Sequence, residues 1–202
     1  MGISGSGLSF RSFRGNEIEN VIHPLSELRI TVFRDFPYLY DGDFEHEKEY
    51  LKTYINSPSS FLFSVFDGDK MVGATTCIPL TDETADVQEP FSKLSKNLNE
   101  IFYFGESILL KEYRGLGIGN RFFEEREKHA FSFPDIKTTC FCAVKRPENH
   151  LLKPDDYQPL DIFWNKREYT KDANMVSYFD WKDIGEEESS QKPMEYWFKT
   201  IQ

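Results

Sequence analysis

The feature that most constrains this chain is an apolar, strand-like segment that runs through a glycine-rich turn into a helical pattern. The segment covers 106–110, the turn 114–119 reads Arg-Gly-Leu-Gly-Ile-Gly, and the helical pattern covers 121–130. This order places free backbone N–H groups around a concave turn at the positive end of a helix. Such groups bind phosphate oxygens without a basic side chain. The sequence therefore predicts an α/β unit with an anion site at the turn.

The spacing of the glycines separates this turn from two common nucleotide-binding motifs. Glycine permits both a positive φ and close approach of a ligand to the backbone. A dinucleotide-binding G-x-G-x-x-G turn would need glycine at Asn120, and a P-loop would need lysine there, directly after Gly119. A tight turn before a helix, with no ligand, is the alternative interpretation, and the spacing alone leaves it open.

A family resemblance goes further than the spacing. Residues 114–119 resemble the R/Q-x-x-G-x-G/A signature of the GNAT acyl-CoA N-acyltransferases. The strand before them is similar to that family's fourth strand, and the helix after them to its third helix. The resemblance extends over 8–201 and is sharpest over 106–130. It implies an α/β (α+β) fold with a mixed, mostly antiparallel sheet flanked by helices, in which strands 4 and 5 splay apart around the cofactor.

The pattern along the chain predicts elements in an order that agrees with this fold. Helices are expected from Pro24, from the capping residue Asp43, and over 119–131 and 160–166. The predicted strands are 8–13, 61–66, 70–80, 101–110, 136–144, 175–181 and 194–201. The polar connection 81–100 is expected to hold a helical turn starting at Pro90. We expect a flexible Gly/Ser leader over 1–7 and one domain over 8–202.

Composition and charge exclude several classes of protein. Aromatic residues make up 16% of the 202 residues, which argues against disorder. The net charge of −10 argues against a nucleic-acid partner and suits an amine substrate. No apolar stretch predicts a membrane span or a signal peptide. Three cysteines, Cys77, Cys140 and Cys142, fit no metal spacing, and we expect buried thiols, no metal and a cytoplasmic location.

The resemblance assigns acetyl-CoA as co-substrate and places it along the turn and the preceding strand. The strand residues beside the pantetheine arm would be Ser107, Ile108 and Leu109, with a backbone N–H near Leu109 polarising the thioester. The pyrophosphate would lie on the turn, whose residues are Arg114, Gly115, Leu116, Gly117, Ile118, Gly119 and Asn120. Arg114 would either add charge to the phosphates or remain a surface cation.

Two residues are candidates for the base that accepts the amine proton. Glu106 stands just before the strand segment, where the family often carries an acidic residue. His150, in the loop 145–159, is the second candidate, since imidazole titrates in the useful range. The alternatives are an exposed strand position or a buried ion pair for Glu106, and a solvated loop position for His150.

The chain departs from the family at the expected general acid. The family pattern aromatic-Tyr-x-x-x-Gly-aromatic corresponds here to 163–169, where Trp164 replaces the tyrosine and Glu168 the glycine. Tyr157 is the candidate substitute, and a thiolate also leaves without an acid because its intrinsic pKa is fairly low. Trp164 is expected to pack against the cofactor or the core.

The sequence therefore predicts an acetyl-CoA-dependent N-acetyltransferase. Its acceptor would be a primary amine of a small molecule or amino-acid-like compound, attacking the thioester directly in a ternary complex. The alternatives are a non-catalytic acyl-CoA-binding module, a different acyl-CoA donor, and a peptide acceptor. We expect a monomer or a homodimer.

Overall fold

A single mixed sheet organises the chain, and a computed structural model describes it over residues 7–200. Almost all of the leader predicted over 1–7 lies outside the described residues, as do 201–202. The strands are β1 Leu8–Arg14, β2 Phe61–Asp67, β3 Lys70–Pro79, β4 Ile101–Tyr103, β5 Ser107–Leu109, β6 Thr138–Val144, β7 Thr170–Trp181 and β8 Ser190–Thr200. The helices are α1 Ile22–Phe33, α2 Phe44–Asn56, α3 Ala85–Lys93, α4 Ile118–Ala130 and α5 Asp161–Asn165.

The strand order in the sheet is β1-β2-β3-β4-β6-β8-β7, with β5 paired to β3. Among the described strands, β4 and β6 form the one parallel pair, and the other pairs are antiparallel. The parallel pair is connected through α4, as a strand–helix–strand crossover requires. The predicted mixed, mostly antiparallel sheet is thus confirmed.

Both faces of the sheet are buried, which explains the continuous apolar run of β2. Leu62 faces a core shared with α1 and α2, whereas Phe63 and Val65 face a second core shared with α4. Side chains alternate across a strand, so a strand covered on both faces reads as uninterrupted apolar sequence.

Local sequence signals set several element ends as predicted. The Asp43 carboxylate accepts a hydrogen bond from the His46 N–H at 2.9 Å and caps α2. Gly68 has a φ of +58° in the hairpin between β2 and β3. The first helix is followed by Pro37 and α2 by Pro58, residues that cannot continue a helix.

Two sequence predictions were wrong in detail. The helix in the polar connection begins at Ala85, and Pro90 lies inside it rather than at its start. The strand predicted over 101–110 is broken into β4 and β5, because the intervening residues turn from β6 towards β3. At that break the Phe104 N–H donates to the Cys140 carbonyl at 2.7 Å, and the Gly105 N–H donates to the Thr76 carbonyl at 3.2 Å.

Candidate active site

The turn before α4 has the geometry that its glycines predict. Gly115 has a φ of +79° and Gly117 a φ of +80°, in the left-handed region that favours glycine. A Cβ built on either residue would meet no atom within 4 Å. The turn is therefore open to solvent, and glycine is required there by backbone conformation rather than by crowding from the protein.

Several amides of this turn are free to receive an anion. Within residues 7–200, no protein acceptor is found for the N–H groups of Leu116, Gly117, Ile118 and Gly119. The Asn120 N–H differs from these four, because it donates to the Gly117 carbonyl at 3.1 Å, and its role in holding the pyrophosphate stays a prediction. The first turn of a helix leaves its leading donors unpaired, so the free amides and the helix dipole act together on one ligand.

The strand β5 directs its polar groups alternately towards and away from β3. The Glu106 carbonyl accepts from the Thr76 N–H at 3.1 Å, and the Leu110 N–H donates to the Val72 carbonyl at 3.0 Å. Because N–H and C=O groups alternate along an antiparallel pair, Ser107 and Leu109 point theirs away from β3. The Leu109 carbonyl accepts from Arg114 Nε at 3.3 Å. The Leu109 N–H therefore faces the open side of the strand, where the polarising donor was predicted.

The predicted splay between neighbouring strands is present. The parallel pairing of β4 with β6 ends at Tyr103 and Cys140. Beyond it β5 pairs with β3, while β6 continues against β8 as far as Val144. In the described chain no strand pairs with the outer edge of β5. Two diverging strands with a free edge between them can accommodate an extended molecule that carries amides.

Glu106 lies at the break between β4 and β5, and its side chain is buried. It is 3% exposed, and its Oε2 lies 2.8 Å from Arg29 Nη1 on α1. Arg29 Nε also donates to the carboxylate of Glu47 on α2. Burial raises the pKa of the Glu106 carboxyl, and the charge of Arg29 opposes that rise. The Glu106 Oε1 is buried without a hydrogen-bond partner among the described residues.

A line of hydroxyl groups continues from Glu106 along α2. Tyr50 Oη lies 3.4 Å from Glu106 Oε2 and 3.2 Å from Tyr54 Oη. Tyr54 Oη donates to Glu83 Oε1 at 3.0 Å. Burial raises the pKa of Glu83 to about 7. Sequence reasoning missed Arg29, Glu83 and the two tyrosine hydroxyls as site residues.

The other candidates for proton transfer lie together beside Phe36. His150 and Tyr157 both pack on the ring of Phe36, at centroid distances of 5.6 Å and 4.7 Å. The Nδ1 of His150 accepts from the Leu152 N–H at 3.2 Å. In the described structure no hydrogen bond or ion pair joins either residue to Glu106.

The indole of Trp164 packs against the protein core. Its ring lies 5.0 Å from those of Phe141 and Trp197. The core alternative given by the sequence accounts for these contacts, whereas contact of Trp164 with a cofactor stays a prediction.

Arg167 is a cation near the turn that the sequence interpretation overlooked. Its Nη2 donates to the Asn120 Oδ1, and its guanidinium lies 5.3 Å from the ring centroids of Phe123 and Phe163. Its Nε is buried without a partner among residues 7–200. Arg167 and Arg114 are therefore the cations placed beside the free amides.

The connection between α1 and α2 is fastened to the hairpin of β7 and β8. Arg146 donates to the Pro37 carbonyl at 2.7 Å and to the Tyr38 carbonyl at 2.6 Å. The same guanidinium forms two bonds, at 2.6 Å and 2.8 Å, to the Asp183 carboxylate. The Ile184 N–H adds a bond to the Leu39 carbonyl at 2.7 Å. These contacts hold the link between α1 and α2 against the turn between β7 and β8.

Solved structures similar to this chain include several acetyltransferases. Arabidopsis thaliana NAA60 in complex with acetyl-CoA is 13% identical with a TM-score of 0.63, over 96% of this chain and 98% of that one. NAA60 in complex with a bisubstrate analogue is 12% identical with a TM-score of 0.59, over 96% and 100%. An acetyltransferase of the GNAT family from Streptococcus pneumoniae is 13% identical with a TM-score of 0.57, over 96% and 99%.

These likenesses define the class of fold. The chain has the fold of the GNAT acetyltransferases, as the sequence predicted, along almost its whole length. No protein-family model and no curated protein sequence matches it. In the described range no helix has the length and apolarity needed to cross a bilayer, and no group of three or more metal-binding side chains is found.

Proposed function

We propose that the protein is an acetyl-CoA-dependent N-acetyltransferase. One combination of features carries this proposal. The turn before α4 has free amides, and the neighbouring strand β5 has outward N–H groups along an unpaired edge. A phosphate-bearing carrier with an amide-containing arm matches both features. The GNAT fold and the acetyl-CoA complex of NAA60 support the same carrier. The acceptor we propose is a primary amine of a small molecule or amino-acid-like compound, attacking directly in a ternary complex.

Backbone groups hold the cofactor and polarise its thioester carbonyl. The amides of 116–119 receive the pyrophosphate, and Arg114 and Arg167 supply positive charge beside them. The outward N–H of Leu109 donates to the thioester oxygen, where negative charge develops during attack. A preorganised donor of this kind is typically worth about 10²–10³ in kcat. No side chain is needed for this step.

Glu106 is the residue we propose as base. Its buried carboxyl has a raised pKa, so it accepts a proton more readily than an exposed glutamate does. The unpartnered Oε1 leaves one acceptor position, and because this atom is buried we propose that the amine proton reaches it through water. As carbon–nitrogen bond formation makes the amine acidic, Glu106 takes its proton and the thiolate leaves. Tyr157 is the proposed acid, and His150 is a second candidate base.

The experiment combines calorimetric titration with acetyl-CoA and an assay of thiol release. The amines are ethanolamine, tyramine, an amino-acid amide and a peptide with a free N-terminus. We expect binding of acetyl-CoA and release of CoA with at least one amine. Glu106→Gln is expected to bind acetyl-CoA as the wild type does and to lose at least tenfold in kcat. Absence of binding would contradict the whole proposal.

Binding without release would favour the second candidate function, a non-catalytic acyl-CoA-binding module. The observation behind that alternative is the tryptophan that stands where the family carries its tyrosine acid. The same titration with propionyl-CoA and succinyl-CoA tests the choice of donor. We also propose a cytoplasmic location, which the three free, buried cysteines support. The monomer or homodimer stays a prediction for sedimentation to test.

A further inference from the structure

The buried polar groups beside Glu106 form a continuous line that the chemistry above does not use. The line begins at Glu106, runs through the hydroxyls of Tyr50 and Tyr54, and ends at Glu83. We propose that this line is a proton exit, through which the proton taken from the amine leaves the active site. The inference rests on the proposed function and assigns roles to three residues that it leaves unassigned.

Each link of the line joins two oxygen atoms at or slightly beyond hydrogen-bond distance. The three oxygen–oxygen distances are 3.4 Å from Glu106 to Tyr50, 3.2 Å from Tyr50 to Tyr54 and 3.0 Å from Tyr54 to Glu83. The last lies at the upper limit of an O–H···O bond, whereas the first two exceed that limit and must shorten for a proton to pass. Tyr50 and Tyr54 are one helical turn apart on α2, so the helix itself aligns their hydroxyls.

The far end of the line lies next to solvent. Glu83 borders a surface cavity of about 350 Å³, whose lining includes the exposed residues Asn56, Asp82 and Thr84. Glu83 itself is buried, and its second carboxylate oxygen accepts from the Thr84 N–H at 3.0 Å. Glu106, in contrast, is enclosed by protein. The line therefore joins a buried carboxylate to a second carboxylate at the wall of a water-accessible cavity.

The buried groups around the line carry more negative than positive charge when all are ionised, which favours binding of a proton. Arg29 is the cation paired with Glu47 and Glu106, and Glu83 adds a third buried carboxylate. Full ionisation of the three would leave the buried cluster with a net charge of −2 (one cation against three anions), which burial disfavours. A proton shared along the line lowers that cost. The raised pKa of Glu83, about 7, agrees with this sharing.

The transfer balances in atoms and charge. Glu106 takes a proton from the attacking nitrogen as the carbon–nitrogen bond forms and the carbon–sulfur bond breaks. Glu106 passes a proton to Tyr50 Oη, Tyr50 passes its own to Tyr54 Oη, and Tyr54 passes its own to Glu83. Both tyrosines end neutral, Glu106 is again a carboxylate, and Glu83 releases the proton to water in the cavity. The thiolate leaves with its electron pair and is protonated from solvent.

The groups that face the two ends of the line come from several elements. Those facing Glu106 are Arg29 from α1, Glu47 and Tyr50 from α2, Thr76 from β3, and Arg126 from α4 at its carbonyl. Glu83 is bonded to Tyr54 and to the Thr84 N–H, and its charge is coupled electrostatically to Arg29, Tyr50, Tyr103, Glu106, Cys140, Cys142 and Tyr196. Of these, only the two tyrosine hydroxyls of α2 connect the carboxyls through hydrogen bonds in the described residues.

The test uses Tyr50→Phe, Tyr54→Phe, the double variant and Glu83→Gln, assayed with whichever amine of the panel above releases CoA fastest. Each variant is expected to bind acetyl-CoA as tightly as the wild type and to lose about tenfold in kcat. The double variant is expected to lose no more than either single one, because a path in series is blocked by one break. The wild-type kcat is expected to rise through pH 7, because Glu83 accepts the proton only when it is ionised. Glu83→Gln is expected to lack this rise, which a purely structural role would not cause.

The matched control is Tyr169→Phe, which removes the hydroxyl of another fully buried tyrosine, bonded to Thr139 and Glu127 in the second core. Its kcat is expected to stay within twofold of the wild type. Glu83→Gln at the cavity wall provides the test if a tyrosine variant fails to fold. Wild-type kcat and pH profile in the tyrosine variants, or losses that multiply in the double variant, would overturn the proton exit alone. Binding of acetyl-CoA without CoA release from any amine would overturn both it and the proposed catalysis.

Discussion

At the scale of single residues, the backbone conformation requires glycine most clearly at Gly115 and Gly117, the two positions with positive φ in the turn before α4. Neither has a neighbour that would exclude a methyl group, so substitution tests conformation and ligand contact without steric clash inside the protein. The sequence predicted this turn because glycine alone satisfies both conditions at low cost. It is the part of the site in which local sequence carries the most information.

We expect Gly117→Ala to cost about 1 kcal/mol of stability through its positive φ, and to weaken acetyl-CoA binding at least tenfold. The matched control is Gly68→Ala, which has a φ of +58° and the same open space but lies in the hairpin between β2 and β3. It should lose similar stability and keep its affinity. Urea unfolding and calorimetry measure the two quantities. Equal affinity in the two variants would show that the turn does not hold the ligand.

Glu83 supplies a residue-scale prediction on stability. Its pKa is raised by burial from 4.5 to about 7, so the folded protein holds this proton more tightly than the unfolded chain does. Its contribution to stability is therefore fully present below pH 4.5 and is lost as the pH rises through about 7, by about 3 kcal/mol in total. Glu83→Gln should lack this loss. Urea unfolding at pH 5 and pH 8 measures it, and an identical pH dependence in both proteins would contradict the assignment.

The polar cluster around Glu106 could not be read from the sequence for a physical reason. Arg29 and Glu47 are 18 residues apart, and Tyr50 is 56 residues from Glu106. Only the packing of α1 and α2 on the break in the sheet brings them together. One signal was present: Glu47, Tyr50 and Tyr54 lie on the inward stripe of α2, where a glutamate is unusual.

At the scale of elements, the division of one predicted strand into β4 and β5 creates the candidate site. The break needs Gly105, because a Cβ there would lie 1.9 Å from Tyr54 Oη and 2.8 Å from Thr76 Oγ1. An apolar run with one glycine predicts a strand. The sequence contains no sign that the Tyr54 hydroxyl, from α2, occupies the space where a side chain at residue 105 would lie. The existence and order of the elements were predictable from local pattern, whereas this change of partner depends on long-range packing.

The outward edge of β5 gives an element-scale prediction. Leu109→Pro removes an N–H that does not bond to β3, so the sheet keeps its hydrogen bonds while the proposed donor to the thioester is lost. We expect kcat to fall about 10²-fold. Leu109→Ala is the control, since it shortens the side chain and keeps the N–H, and its kcat should stay within a few-fold of the wild type. Thiol release under saturating acetyl-CoA measures both, and equal rates in the two variants would exclude the donor.

At the scale of the whole molecule, one sheet carries both the turn before α4 and the link between α1 and α2. The free amides and the edge of β5 lie on the α4 side, whereas the link between α1 and α2 is attached to the hairpin of β7 and β8. Arg146 makes that attachment through four hydrogen bonds to residues at least 37 positions away along the chain. The predicted fold placed both elements correctly but gave no sign of their attachment, since a loop arginine usually remains solvated.

Because the attachment lies apart from the turn before α4, we expect that a substitution there lowers the stability of the protein without changing its affinity for acetyl-CoA. Asp183→Asn leaves the buried guanidinium of Arg146 without its carboxylate partner. It also removes the more distant of two carboxylates beside Lys192, at 3.7 Å, whereas Glu186 at 2.8 Å remains. Breaking a buried ion pair in this way costs about 3–5 kcal/mol. Acetyl-CoA affinity, measured on the folded fraction, should be unchanged, because the free amides lie on α4.

The control for this variant is Asp41→Asn on the same link, where the carboxylate pairs with Arg34 at 2.9 Å and Lys182 at 3.1 Å and is partly exposed. Solvent screens those pairs, so the change in the urea midpoint should be much smaller than in Asp183→Asn. If the two substitutions lower the midpoint equally, burial of the Arg146 pair does not determine how the link is held. If Asp183→Asn instead weakens acetyl-CoA binding at full folding, the link and the turn before α4 are coupled, and the acceptor side must contribute to holding the carrier.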